Sequence, residues 1–163
     1  MRIWSRTKTR ADALAAKLEA PGLELTATTD LEASAAWADI ISCATLSKTP
    51  LIKGDWLRAG VHLDLVGAFR ANMRETDDRA MARASIFVDT KGGALSEAGD
   101  ILLAIQAGAI TEADIQADLH ALTTGGGAGR APETDMTLFK SVGAALEDLA
   151  AAKLAYERHS ARL

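Results

Sequence analysis

Apolar positions along the 163-residue chain fall into short blocks of two alternating kinds. Runs with period two, or brief continuous apolar stretches, mark strands, whereas i, i+4 spacing marks helices. Arg2 to Ser5 is the first strand candidate. Lys8 to Leu18 follows as a helix with Leu14 and Leu18 on one face, and Pro21-Gly22 stops it. Leu23 to Thr28 alternates and reads as a strand, and Asp30 stands as N-cap ahead of a helix over Leu31–Trp37. Asp39 to Ala44 is a buried-strand pattern too short for a helix. Val61 to Val66 is a strand ending at Gly67, Thr76 to Arg83 is helical, and Ser85 to Asp89 is another strand.

Strand and helix alternating over short connections imply right-handed crossovers and a parallel sheet, the doubly wound α/β class. Beyond Asp89 the pattern predicts helices over Ala94–Gln106 and Thr111–Leu119, separated at Gly108. A glycine-rich loop at Gly125–Gly129 comes next. An Ala-rich amphipathic helix from Ser141 to Arg162 closes the chain, with Val142, Leu146, Leu149 and Leu154 near one face.

Composition narrows the function class. Aromatics make up 4% of residues while small apolar side chains abound, which suits helix-on-sheet packing better than an all-β sandwich. The formal net charge of −4 provides no electrostatic attraction for nucleic acid or an anionic membrane surface. Cys43 is the sole cysteine, so an intrachain disulfide and a thiolate metal cluster are both excluded. Neither a membrane-length apolar run nor a signal-peptide pattern is present, and a cytoplasmic soluble domain is the expectation.

Five blocks carry a more specific resemblance. Ile3-Trp4-Ser5-Arg6-Thr7 with Arg10-Ala11, Ala38–Ile41 through Thr45 to Pro50-Leu51-Ile52, and His62–Ala68 occur in that order. Glu97-Ala98-Gly99-Asp100 and Leu138–Gly143 with Glu147-Asp148 complete the set. In this order they resemble the nicotinamide-cofactor half of the ornithine cyclodeaminase/mu-crystallin family, over nearly the whole chain. The resemblance implies a Rossmann-like doubly wound sheet lacking its first strand, with a C-terminal helical extension. Residues 1–130 would form a partial NAD(P)-binding domain, and residues 131–163 a helix returning toward the substrate domain of full-length relatives.

Candidate cofactor residues follow from strand ends and from that resemblance. Ser5, Arg6 and Thr7 sit where the second strand of a dinucleotide fold meets the adenosine ribose. An acid there would bind the 2′-hydroxyl of NAD, whereas Arg6 suits the 2′-phosphate of NADP, so NADP (or NAD) is the expected cofactor. Ala44, Thr45 and Leu46 follow the next strand at the fold's switch point, and the resemblance places them along the cofactor. Val66 and Gly67 end a further strand, where a residue without a side chain lets the nicotinamide approach the backbone. Lys140 and Ser141 are expected to cap the closing helix, leaving free N–H groups for a polar cofactor edge.

Other signals read as structural. Gly125–Gly129 lacks the strand before and helix after that a phosphate cradle needs, so a mobile loop is expected. Cys43 reads as a buried strand residue, His62 as structural, and Glu75 with Asp77-Asp78 as a helix N-terminus rather than a metal site. No catalytic or metal-binding residue is assigned.

Two departures from the family pattern stand out. Cyclodeaminases carry an aspartate where this chain has Phe69, and a phenyl ring neither takes a proton nor binds an ammonium. That points to imine reduction with a small imino- or amino-acid substrate in full-length relatives. The chain also contains no G-x-G-x-x-G and no substrate-domain residues, so the expectation for it alone is catalytic silence. The alternative is a non-catalytic nucleotide-binding or assembly module of mu-crystallin type. The strands at Arg2–Ser5 and Asp39–Ala44 should then flank a gap. Direct pairing across it, or a strand from a second copy in a homo-oligomer, is favoured over an open gap.

Overall fold

The computed structural model describes residues 1–160. Its elements run β1 (Arg2–Trp4), α1 (Lys8–Lys17), β2 (Thr26–Thr28), α2 (Leu31–Trp37), β3 (Ile40–Cys43), β4 (His62–Leu65) and α3 (Asp78–Arg83). They continue β5 (Ser85–Val88), α4 (Lys91–Glu97), α5 (Gly99–Gln106), β6 (Ile115–Asp118), α6 (Leu119–Thr124), β7 (Thr137–Lys140) and α7 (Ala145–Ser160). Every strand pair is parallel. The α/β class and its parallel sheet are as the alternation predicts. Asp30 accepts from Ala33 N at 2.9 Å and so caps α2 as its position implies.

Three differences from the expected elements have local causes. Thr111–Leu119 is not a helix: Ile115 and Ala117 are buried while Gln116 is exposed, a period of two that builds β6. The stretch Ala94–Gln106 breaks at Ala98 into α4 and α5. The closing helix starts at Ala145 rather than Ser141, because Ser141 to Gly143 are engaged elsewhere; Ala161, Arg162 and Leu163 lie outside the described residues.

The strand order among the described residues is β1-β2 in one sheet and β3-β4-β7-β5-β6 in the other. β7, the last strand in sequence, is inserted at the centre of the larger sheet. Leu63, Leu65, Ile86, Val88 and Leu138 share one fully buried face of that sheet, packed with Met81 of α3 and Ile101 of α5. β5 and β7 are buried almost throughout, as in a parallel sheet covered on both faces, whereas β4 alternates.

The two sheets correct the expectation for the gap. β1 pairs with β2 alone and β3 with β4 alone, so β1 and β3 do not pair with each other. Unpaired backbone groups are costly only where the gap is buried. Here the strands are open to water: Arg2, Ile40 and Ser42 are exposed, and Ile40 retains 68% of its surface. Solvated edges carry no such penalty. Arg2 bridges the N-terminal unit to α2, donating to Ala33 O at 3.3 Å and lying 4.3 Å over the Trp37 ring.

Candidate cofactor site

Adjacent parallel strands end on the same side, so the order β3-β4-β7-β5 lines up four carboxyl ends in a row. Ligands of open α/β sheets sit outside such ends. Backbone hydrogen bonds lock the row beyond the strands themselves: Val66 N donates to Cys43 O at 2.8 Å and Ala68 N to Thr45 O at 3.2 Å. Ser141 N donates to Leu65 O at 3.0 Å, and Asp89 N to Lys140 O at 3.2 Å. Ala44, Thr45, Leu46, Val66, Gly67, Lys140 and Ser141 are therefore brought together.

Ser5, Arg6 and Thr7 belong to the smaller sheet, following β1. Thr7 is the residue ahead of α1 but makes no side-chain cap, and its N–H donates to Ser5 Oγ at 3.3 Å. Arg6 is exposed and enters no ion pair among the described residues. Its guanidinium is available to an anion.

Lys140 and Ser141 need a different account from the expected one. Lys140 ends β7 and is 0% exposed, so its ammonium does not face a surface ligand. Nor are the amides after it free. Asp89 Oδ2 accepts from Ser141 Oγ at 3.1 Å, Val142 N at 2.8 Å and Gly143 N at 2.8 Å. The local N–H cluster that looked suited to a cofactor is satisfied by this carboxylate, which is itself 4% exposed. Asp89 thereby ties the β5 end to the segment entering α7.

Beneath the row lies a cluster of buried charge contributed by three segments far apart in sequence. Glu75, Asp100 and Lys140 are each fully buried. Asp100 Oδ1 accepts from Glu75 N at 2.8 Å, Thr76 N at 3.0 Å and Thr76 Oγ1 at 3.1 Å. Glu75 Oε1 accepts from Thr45 N at 2.5 Å. Lys140 Nζ donates to the Gly67 carbonyl and lies 3.7 Å from Asp100 Oδ2. Burial lowers the Lys140 pKa, opposed by the nearby Asp100 and Glu75 charges. Burial raises Glu75, against the Thr45 hydrogen bond that favours its charged form. Cys43 lies in the same field, and burial pushes its thiol up to about 12, so it stays a neutral core residue as its strand position implies.

The cluster also explains Gly67. A Cβ there would fall on Glu75 Oε1 and on the Thr45 backbone. Internal packing alone thus requires glycine, before any cofactor approaches. Ala68 follows with φ 51°, the one non-glycine residue at positive φ among the described residues. It is held there by Thr45 O, which accepts from its N–H, and by Gly99 N, which donates to its carbonyl at 3.1 Å.

Outside this buried layer the strand ends are apolar and open. Leu46, Val66 and Phe69 are all exposed. Such a surface fits the flat face of a nicotinamide ring. No group of His, Cys, Asp and Glu that could hold a metal ion occurs among the described residues, and no helix among them is long and apolar enough to cross a membrane.

Comparison with known proteins agrees with this geometry. The family model described as ornithine cyclodeaminase/mu-crystallin matches residues 1–162. The chain belongs to that family. Delta(1)-pyrroline-2-carboxylate reductase of Paracoccus denitrificans is 42% identical over 147 residues, 90% of this chain and 46% of that protein. Among solved structures, the Thermococcus litoralis enzyme of the same name, in complex with NADH and L-proline, superposes with a TM-score of 0.90 at 34% identity. That match covers 99% of this chain and 50% of the other. An archaeal alanine dehydrogenase dimer with bound NAD also has a TM-score of 0.90, at 27% identity, covering 99% and 49% of the two chains. The chain thus spans about half the length of the relatives it matches.

The strand ends are legible in the sequence pattern, whereas the roles of Glu75, Asp89 and Asp100 in organising them are not. One signal was available. Asp100 lies four residues before Ala104 and beside Ile101, placing an acid on the buried stripe of α5. Glu75 lies in a loop without period and had no comparable signal.

Proposed function

We propose that this chain is the nicotinamide-dinucleotide-binding half of an imine-reducing oxidoreductase acting on a small imino acid. The observation that carries the reading is the row of parallel strand ends, where Leu46 and Val66 are apolar and exposed beside half-buried Thr45 and buried Gly67, with Phe69 where an acid would serve cyclodeaminase chemistry. When bound, the reduced nicotinamide supplies a hydride to the C=N carbon, and a proton completes the amine.

The chain's own residues bind and orient. Leu46 and Val66 offer apolar surface to the ring, and buried Gly67 lets the Thr45 and Val66 strand ends pack closely beneath it. Phe69, with the Arg70 guanidinium 5.7 Å from its ring centroid, adds exposed apolar surface just beyond Gly67. Arg6, exposed and without an ion pair among the described residues, suits the 2′-phosphate of NADP, although the nucleotides named in the similar structures are NADH and NAD.

A second reading, an assembly module, is favoured by α7. Leu146, Leu149, Leu154 and Tyr156 are all exposed along a helix with no buried residue. Such a stripe suits another protein surface, whether a substrate domain or a second copy.

The test is NADH and NADPH binding by calorimetry, together with cofactor oxidation in the presence of pyrroline-2-carboxylate. Nucleotide binding that perturbs the amides of Thr45 and Gly67 supports the reading. No saturable binding of either nucleotide refutes it. The 163-residue chain alone is expected to show no turnover, and clear turnover lost on substitution within it would overturn that expectation.

A further inference from the structure

We propose that Glu75, Asp100 and Lys140 act as one proton-holding clamp that positions Thr45 and Gly67, the two strand-end backbones on either side of the cofactor face. The cofactor side of this statement rests on the function proposed above; the clamp itself rests on geometry.

Three side chains from three separate segments converge here: Glu75 from the loop before α3, Asp100 from α5 and Lys140 from β7. Each reaches a different backbone target. Lys140 takes the Gly67 carbonyl, Glu75 takes the Thr45 amide, and Asp100 gathers the Glu75 and Thr76 amides with the Thr76 hydroxyl. Ala68 N closes the circuit by donating to Thr45 O. The ends of β3 and β4 are thus tied through buried charge as well as through the sheet ladder.

Two carboxyls and one ammonium, all ionised, would bury a net negative charge, which is strongly unfavourable away from water. Two oxygens in the cluster have no hydrogen-bond partner, Glu75 Oε2 and Asp100 Oδ2. Asp100 Oδ1 is filled by three donors, and Asp100 faces Lys140 at 3.7 Å. A proton on Glu75 Oε2 makes the cluster neutral and turns an orphan acceptor into a donor. Glu75 is faced by Asp100 of α5, Lys140 of β7 and the Cys43 thiol of β3, while Asp89 acts on Lys140 and Asp64 on Cys43. The thiol is neutral across the accessible range, leaving Lys140 as the cation that favours ionised Glu75. Burial and Asp100 oppose it, in the direction of the proton-bearing form. Glu75 and Lys140 are positioning residues on this account, since neither meets the reacting atoms.

The test is an NMR titration of the 163-residue chain, following the Glu75 carboxyl carbon together with the amides of Thr45 and Gly67. The expected result is a common inflection for all three, above the ordinary glutamate value of about 4.3. Glu75→Gln, which keeps an oxygen for Thr45 N and cannot ionise, should abolish the titration of the Thr45 amide while retaining a dispersed spectrum. A purely space-filling Glu75 would leave that amide insensitive to pH. The clamp is refuted by a Glu75 carboxyl that titrates at or below the ordinary value. It is equally refuted by a Glu75 inflection that Thr45 and Gly67 do not share, and both readouts come from the wild type even where a variant folds poorly. Adding NADH or NADPH separates the two proposals. Amides that share the Glu75 inflection but ignore both nucleotides support the clamp and remove the cofactor reading.

Discussion

Lys140, the last residue of the last strand, donates its ammonium to the carbonyl of Gly67, 73 residues earlier, inside a site with no solvent exposure. The bond crosses from β7 to the turn after β4, joining a segment whose local sequence looks like a surface helix start to the centre of the candidate cofactor face. Removing the cation should therefore be costly. Lys140→Met leaves Asp100 buried without its counter-charge and is expected to destabilise by about 3–5 kcal/mol. Paired with Asp100→Asn, the loss should be clearly less than the sum of the single losses, by about 0.5–3 kcal/mol. Urea unfolding of the four proteins measures this, and simple additivity would contradict the pairing.

Stability should also depend on pH through Glu75. Its folded pKa is raised above the unfolded value, so its contribution is fully present below about 4.3 and is lost as pH rises through the raised folded value. Unfolding free energy followed from pH 4 upward, at roughly half-unit steps, should show a declining component that Glu75→Gln removes. Identical pH profiles for the two proteins would count against a buried, proton-bearing Glu75.

Gly67→Ala tests the packing reason for glycine. Its Cβ would meet Thr45 backbone, which cannot swing away, as well as Glu75 Oε1. A loss of about 1–3 kcal/mol is expected without any cofactor present. A stability equal to wild type would mean that glycine serves only ligand approach.

Ala68 holds φ 51° while fully buried, a conformation that costs an alanine about 1–3 kcal/mol. Ala68→Gly should be tolerated or mildly stabilising, whereas Ala68→Val should destabilise strongly because a β-branched side chain fits that region worst. Thermal midpoints of the two variants decide the matter, and equal midpoints would argue that the strain is absent.

Arg6 carries the cofactor preference in the proposed function. A charge-assisted contact to phosphate contributes about 1.5–3 kcal/mol, so Arg6→Ala should erase most of any preference for NADP over NAD. Calorimetry with both nucleotides is the measurement. Wild-type protein that binds the two equally would remove Arg6 from this role.

The chain's local patterns determined its class and much of its order. Alternating strand and helix blocks dictate a parallel sheet, Asp30 marks the start of α2 through a bond three residues away, and the strand ends at Thr45 and Gly67 follow from where the apolar runs stop. These features depend on neighbours within a few residues, which periodicity and capping rules read directly. Only the tertiary structure decided that β7 enters the middle of the sheet, that β1 and β3 stay in separate sheets, and that Ser141 serves Asp89 instead of α7. It also decided that Lys140 is buried. An ammonium in the interior needs groups that compensate its charge, and Gly67 and Asp100 become its neighbours only when β4, α5 and β7 pack together.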